Sequence, residues 1–208
     1  MELGLENQME QPKKRLKKIL LWAAGIVLAA YAAVVIYRIP HAVEKQKTAE
    51  VVAKIHAAKL TFDDVIGKNL PPDPGADADK TIEGVDANNN GIRDDVELAI
   101  FKQYPNSAKT RAAALQYAVA LQIGLTQVFN SETLVAMAQE MTRATLCLGK
   151  LDRDIKVSIQ RKDALEKFIL NTDSRKNELE EIYRKYMVSH GDVEGKSDCD
   201  IDPTTLAN

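Results

Sequence analysis

From Ile19 to Tyr37 the chain reads ILLWAAGIVLAAYAAVVIY, 19 residues without a charge. As a helix rising 1.5 Å per residue this stretch is about 28 Å long, close to the thickness of a bilayer core. Lys13, Lys14, Arg15, Lys17 and Lys18 precede it and only Arg38 follows directly. That asymmetry predicts a single transmembrane helix over 19–37 with the basic tail, 1–18, in the cytoplasm and the remainder exported. Ala30-Tyr31-Ala32 also fits the small-x-small pattern of a cleaved signal peptide, but cleavage there would leave apolar residues 33–37 on the mature chain. An uncleaved anchor is the expectation.

Past residue 37 the chain holds 23 basic and 27 acidic residues, so no anionic partner is implied and no nucleic-acid binding is expected. Val51, Ile55 and Ala58 recur at helical spacing among charges, predicting a stalk helix over 38–60 after Pro40. A Pro-rich linker over 61–85 follows, because Leu70-Pro71-Pro72-Asp73-Pro74-Gly75 forbids helix. From there the pattern is helical. Asp94 or Asp95 is positioned to cap a helix that Pro105 stops, and Ser107 opens a helix apolar nearly all round, the expected central one. Leu134, Met137, Met141, Ala144 and Leu148 form the seam of the next helix, after Asn130-Ser131. Ile155 to Ile169 and Leu179 to Tyr186 mark two more, the last stopping near His190. No stretch shows strand alternation. The expected fold is all-α: an N-terminal transmembrane helix and stalk, then a bundle of four to five helices over 98–189, with an acidic tail, 190–208.

One constellation carries chemistry. Asp86-Ala87-Asn88-Asn89-Asn90-Gly91-Ile92-Arg93-Asp94-Asp95-Val96-Glu97 places oxygen side chains at positions 1, 3, 5, 9 and 12 of a twelve-residue loop, with glycine at 6. Ca²⁺ needs six to eight oxygens, and a tight loop supplies them from alternating residues. Asp86, Asn88, Asn90, Asp94 and Glu97 are the expected side-chain ligands, with the Ile92 carbonyl turned inward by a left-handed Gly91. An Asn/Gly-rich turn whose acids merely cap the next helix is the alternative. Three carboxylates and two neutral amides imply a weak, structural calcium site.

These twelve residues resemble an EF-hand loop and, through Ile92 at position 7 and Asp94 at position 9, a thrombospondin type 3 calcium repeat. Arg93 occupies position 8, where paired EF-hands place an aliphatic residue, and the loop occurs once, so neither a paired sensor nor an array is implied. The wider run LPPDPG, the loop and YPNSAKTRAAALQYAVALQ is similar to bacterial membrane-anchored proteins. That resemblance implies an inner-membrane anchor with a periplasmic domain and no particular activity.

The two cysteines, Cys147 and Cys199, both fall on the expected exported side, where a disulfide between them would tie down the acidic tail. His41, His56 and His190 are scattered without metal-like spacing. No nucleophile motif or phosphate loop occurs, so an enzyme is not expected. The sequence thus points to a bilayer-anchored protein whose calcium-stabilised helical domain engages another envelope protein. The rival is a membrane-tethered metal-dependent hydrolase using the carboxylates concentrated between Asp73 and Glu97.

Overall fold

The computed structural model describes residues 3–151, 154–187 and 199–206. Those residues contain seven α-helices and no strand: α1 (Leu3–Ala57), α2 (Phe62–Ile66), α3 (Asp94–Gln103), α4 (Ala108–Thr126), α5 (Ser131–Gly149), α6 (Ile155–Ile169) and α7 (Asp173–Tyr186). Short 3-10 turns lie at Gly75–Asp79 and Pro203–Thr205. The all-α expectation holds.

The chain divides into two compact units, residues 1–47 and 48–208. In the first, α1 is long and apolar enough to cross a membrane, its best 18-residue window reaching a mean hydropathy of 2.5. Leu16, Ile19, Trp22, Ile26 and Tyr37 are all more than half exposed. Helix geometry persists through Pro40, although proline has no N–H to donate to the Ile36 carbonyl.

In the second unit, residues 48–60 of the stalk expected over 38–60 and parts of the linker expected over 61–85 pack with the bundle. Thr48 and Ile55 are buried, and Asn130 Nδ2 donates to Thr48 Oγ1 at 2.7 Å. Asp64 and Val65 of α2 are buried as well. Prolines prevented a long helix but did not keep the segment off the core, because Leu60, Val65 and Ala78 bring apolar side chains at intervals.

At the centre is α4, every residue from Arg111 to Leu125 buried. Its almost featureless apolar surface lets it pack against α2, α3, α5, α6, α7 and the 203–205 turn. Ser107 caps it by accepting from the Thr110 N–H, Asn130 and Thr133 form a reciprocal cap at α5, and Thr172 caps α7. Helix α3 differs from expectation. Neither Asp94 nor Asp95 caps it; Arg93 occupies the cap position without its side chain making a capping bond, and α3 begins at Asp94. The two carboxylates are engaged elsewhere, though as first-turn acids they still face the positive end of the helix.

Cys147 and Cys199 are joined in a disulfide with Cα atoms 5.2 Å apart. It fastens the segment 199–206 beside α4 and α5, where Pro203 is buried. The acidic tail is therefore packed over residues 199–206; residues 188–198, including His190, and 207–208 lie outside the described residues.

Candidate metal-binding loop

Residues 86–97 are held in place from both sides by two arginines that sequence reasoning assigned no role. Arg93, 0% exposed, donates to both oxygens of Asp95 at 2.8 and 2.7 Å and to the carbonyls of Ile169 and Phe168 at 2.9 and 3.3 Å. It thereby fixes the start of α3 to the carbonyl end of α6, where a cation is favoured. Gly84, at φ +67°, makes room for it: a Cβ there would collide with the Arg93 stem and come within 2.9 Å of the Ala78 carbonyl. Arg175, also 0% exposed, donates to the carbonyls of Ala78, Thr81 and Ile82 at 2.5 to 3.1 Å and to Asp79 and Asn171 at 2.6 Å, clamping the approach to the loop onto α7.

Within the loop the backbone turns as the spacing predicts. Gly91 has φ +85° and Asn89 has φ +57°, a left-handed pair that glycine and asparagine tolerate best. Asp86 accepts from the Asn90 and Gly91 N–H groups at 3.2 and 2.9 Å. Asn88 and Asn90 accept from the N–H groups two residues on, at 3.3 and 2.9 Å, and Asp94 Oδ1 accepts from the Ala87 N–H at 3.0 Å. The Asp94 N–H closes the loop on the Val85 carbonyl at 2.8 Å.

The expected ligands meet in part. Asn88 Nδ2 and Asn90 Nδ2 both donate to Glu97 Oε2, at 3.0 and 3.1 Å, so positions 3, 5 and 12 converge. Among the described residues, however, no three His, Cys, Asp or Glu side chains are grouped closely enough to share an ion. Asp86 is turned to the glycine backbone and Asp94 to Ala87. The Ile92 side chain is buried, and its N–H is bonded to Asn90.

What is chemically unusual is the state of the two buried acids. Asp94 and Glu97 are 1% and 0% exposed, yet Asp94 Oδ2 and Glu97 Oε1 have no hydrogen-bond partner. Burial, opposed by the two asparagine amides and reinforced by the Asp64 and Asp94 carboxylates, pushes the Glu97 carboxyl up to about 6. Burial raises Asp94 too, with Asp86 and Asp95 adding to it. The presence of Asp64 beside Glu97 was missed, because it lies 33 residues upstream on a helix of five residues that periodicity does not register.

The loop also walls an open groove of about 770 Å³, lined in part by Lys54, Lys59, Asp64, Gln122 and Gln127. His56, although exposed, contacts Glu140 Oε1 at 2.9 Å. Burial alone would raise Glu140, but bonds from His56 and Arg143 hold it below the usual carboxylate range. The chain matches no protein family, no curated protein and no solved structure.

Proposed function

We propose that the protein is a single-pass membrane-anchored protein whose exported helical domain is stabilised by one calcium ion and acts by binding another envelope protein rather than by catalysis. The observation that carries the anchor is the run of exposed large apolar side chains on α1 from Leu16 to Tyr37, with Arg15, Lys17 and Lys18 exposed at its start. The Cys147–Cys199 bond supports an oxidising compartment for the bundle. That combination fits an inner-membrane anchor with its N-terminus in the cytoplasm and its bundle in the periplasm.

Support for the cation comes from the two buried carboxylate oxygens without partners. A buried anionic oxygen left unsatisfied is costly, and a hard divalent cation satisfies two at once. Asp86, Asn88, Asn90, Asp94 and Glu97, with the Ile92 carbonyl, supply the oxygen donors that Ca²⁺ prefers; the ion would neutralise the loop and order it. A protein partner is supported by Ile155 and Ile159, one turn apart on α6 and 68% and 49% exposed.

The tethered-hydrolase reading has the groove beside the loop in its favour. Its lining offers lysines, amides, carboxylates and the hydroxyls of Thr61 and Thr126, and among the described residues no hydrogen bond joins one of these hydroxyls to a histidine as a nucleophile–base pair would need.

Two measurements test the proposal on the full chain. Carbonate-washed membranes should retain it, and external protease should reach the bundle only once the outer side is opened. Calorimetry in detergent should give one calcium bound with a dissociation constant of about 0.1 mM, in the range of extracellular modules. Release by carbonate, or no calcium heat up to several millimolar, defeats the corresponding half.

A further inference from the structure

The groove of about 770 Å³ beside the loop is lined by polar side chains of two kinds. Most are bonded within the fold: Asp64 to Thr61, Asp86 to the Asn90 and Gly91 N–H groups, Asn88 and Asn90 to Glu97, and Gln122 to the Glu83 carbonyl. The rest are not. Among the described residues, the side chains of Lys54 on α1, Asn69 after α2, Glu83 before the loop and Asn89 within it make no hydrogen bond or ion pair, and all four are exposed. Gln127, at the end of α4, also lines the groove and has a side-chain oxygen without a partner. Five segments of the chain thus bring one cation, one anion and three amides to a single concavity. Its chemistry is selective. Ala57 and Ala58 are the apolar side chains of the lining, so an amphipathic helix or a large apolar side chain finds no anchor there. No aromatic ring among the described residues lines it to stack on a sugar. Lysines and carboxylates are both present, which favours neither a polyanion nor a polycation.

We propose that this groove binds a short extended peptide by its main chain and its two charged ends. Lys54 takes the terminal carboxylate and Glu83 the terminal ammonium, while the amides of Asn69, Asn89 and Gln127 serve the peptide groups between them. An amide side chain offers a donor and an acceptor, which is what a peptide group requires. The cavity is of the size that holds small ligands. Its loop wall is set before binding, because bonds from Asp86, Asn88 and Asn90 hold the backbone around Asn89, and a preformed wall loses little freedom on binding. The site is independent of calcium, since none of its five side chains is an expected ligand of the ion.

The test uses the full chain in detergent and chelator, followed by amide NMR shifts during titration with three probes: trialanine with free ends, trialanine blocked at both ends, and a disaccharide of N-acetylglucosamine. Free trialanine is expected to shift the amides around residues 54, 69, 83, 89 and 127, and blocking its ends should weaken binding about tenfold. Both results are read on the unsubstituted protein, so neither depends on a variant folding. Lys54→Ala and Glu83→Gln should each weaken the free peptide about threefold and leave the blocked peptide unchanged. Asn89 has φ +57°, so Asn89→Gly keeps the backbone while removing the amide and should weaken both peptides alike. Lys102→Ala, at an exposed position on α3 outside the groove, should change neither. The absence of shifts up to about 20 mM free trialanine, equal affinity for the free and blocked peptides, or binding of the disaccharide in place of the peptide overturns the proposal.

Discussion

Asn90 Nδ2 lies 3.1 Å from Glu97 Oε2, a hydrogen bond that joins the fifth position of the loop to the twelfth. Together with the Asn88 amide at 3.0 Å it puts two partial positive charges against the most buried carboxylate of the loop. The amides do without a metal part of what a cation would do with one, and they reach only one of the two Glu97 oxygens.

That relationship predicts a crossing of stabilities. Glu97→Gln removes a buried charge that is only half satisfied, so in chelator the variant should be at least as stable as the unsubstituted protein. In 1 mM calcium the order should invert, because a site of about 0.1 mM dissociation constant contributes roughly 1.4 kcal/mol by linkage and the variant loses it. Denaturant titrations of both proteins in the two conditions check this; parallel shifts without a crossing would remove Glu97 from the site. Asn89→Ala should leave calcium affinity unchanged and cost stability alone, since Asn89 sits at φ +57°.

The same carboxyl gives a pH dependence of defined sign. Glu97 is raised in the fold from 4.5 to about 6, so the folded state binds its proton more tightly than the unfolded chain. Without calcium the contribution is favourable below about pH 4.5 and is lost as pH rises to about 6, amounting to about 2 kcal/mol across that window. Saturating calcium should reverse the slope, because the ion competes with the proton. The difference between the unsubstituted protein and Glu97→Gln, followed from pH 4.5 to 7 in chelator, isolates this group from Glu140, whose lowered value places its own loss of stability at lower pH.

Much of the architecture was legible because it depends on local pattern. Helix α4 announced itself by a surface without a polar face, Ser107 by being a short polar residue before an apolar run, and Gly91 by the turn that its position demands. What stayed hidden depends on partners far along the chain. Arg93 and Arg175 look like solvent-facing charges in sequence, yet both are 0% exposed and bond to carbonyls 75 to 97 residues away. The prolines between residues 70 and 75 describe the backbone of their segment correctly and say nothing about its burial. Asp64 was obscured for a related reason: it caps its own short helix through Thr61 yet lines a groove with Asp86, Asn88 and Asn90, more than 20 residues further along.

The disulfide anchors a charge network as well as a chain end. Asp200, next to Cys199, accepts from Arg143 at 2.6 Å and from the Leu60 N–H at 3.2 Å, while its own N–H donates to Gln116 at 2.9 Å. Replacing both cysteines by serine should lower the unfolding free energy by roughly 4 kcal/mol in the chain-entropy model for a separation of 52 residues. If the bond also holds Asp200, the Leu60 amide should exchange faster in the serine variant under native conditions. A loss of global stability with Leu60 exchange unchanged would show that the tail docks through its own contacts.

Arg175 provides the sharpest test of how the loop is held. Its guanidinium serves three carbonyls, Asp79 and Asn171, in a fork that no other side chain reproduces. Arg175→Met leaves the carbonyls of Ala78, Thr81 and Ile82 without that donor and should cost about 3 to 5 kcal/mol. Arg175→Lys restores the charge but offers three donors from one nitrogen, so it should recover less than half of the loss. The Arg175 bond is also the main reason that Asp79 lies below its ordinary value. In Arg175→Met that carboxyl should titrate higher, observable by NMR on a carboxylate that is half exposed. Because residues 78–82 lead directly to Gly84 and the loop, calcium affinity should fall in Arg175→Met even though Arg175 touches none of the proposed ligands. Unchanged affinity alongside the expected instability would mean that residues 86–97 hold their shape without the clamp.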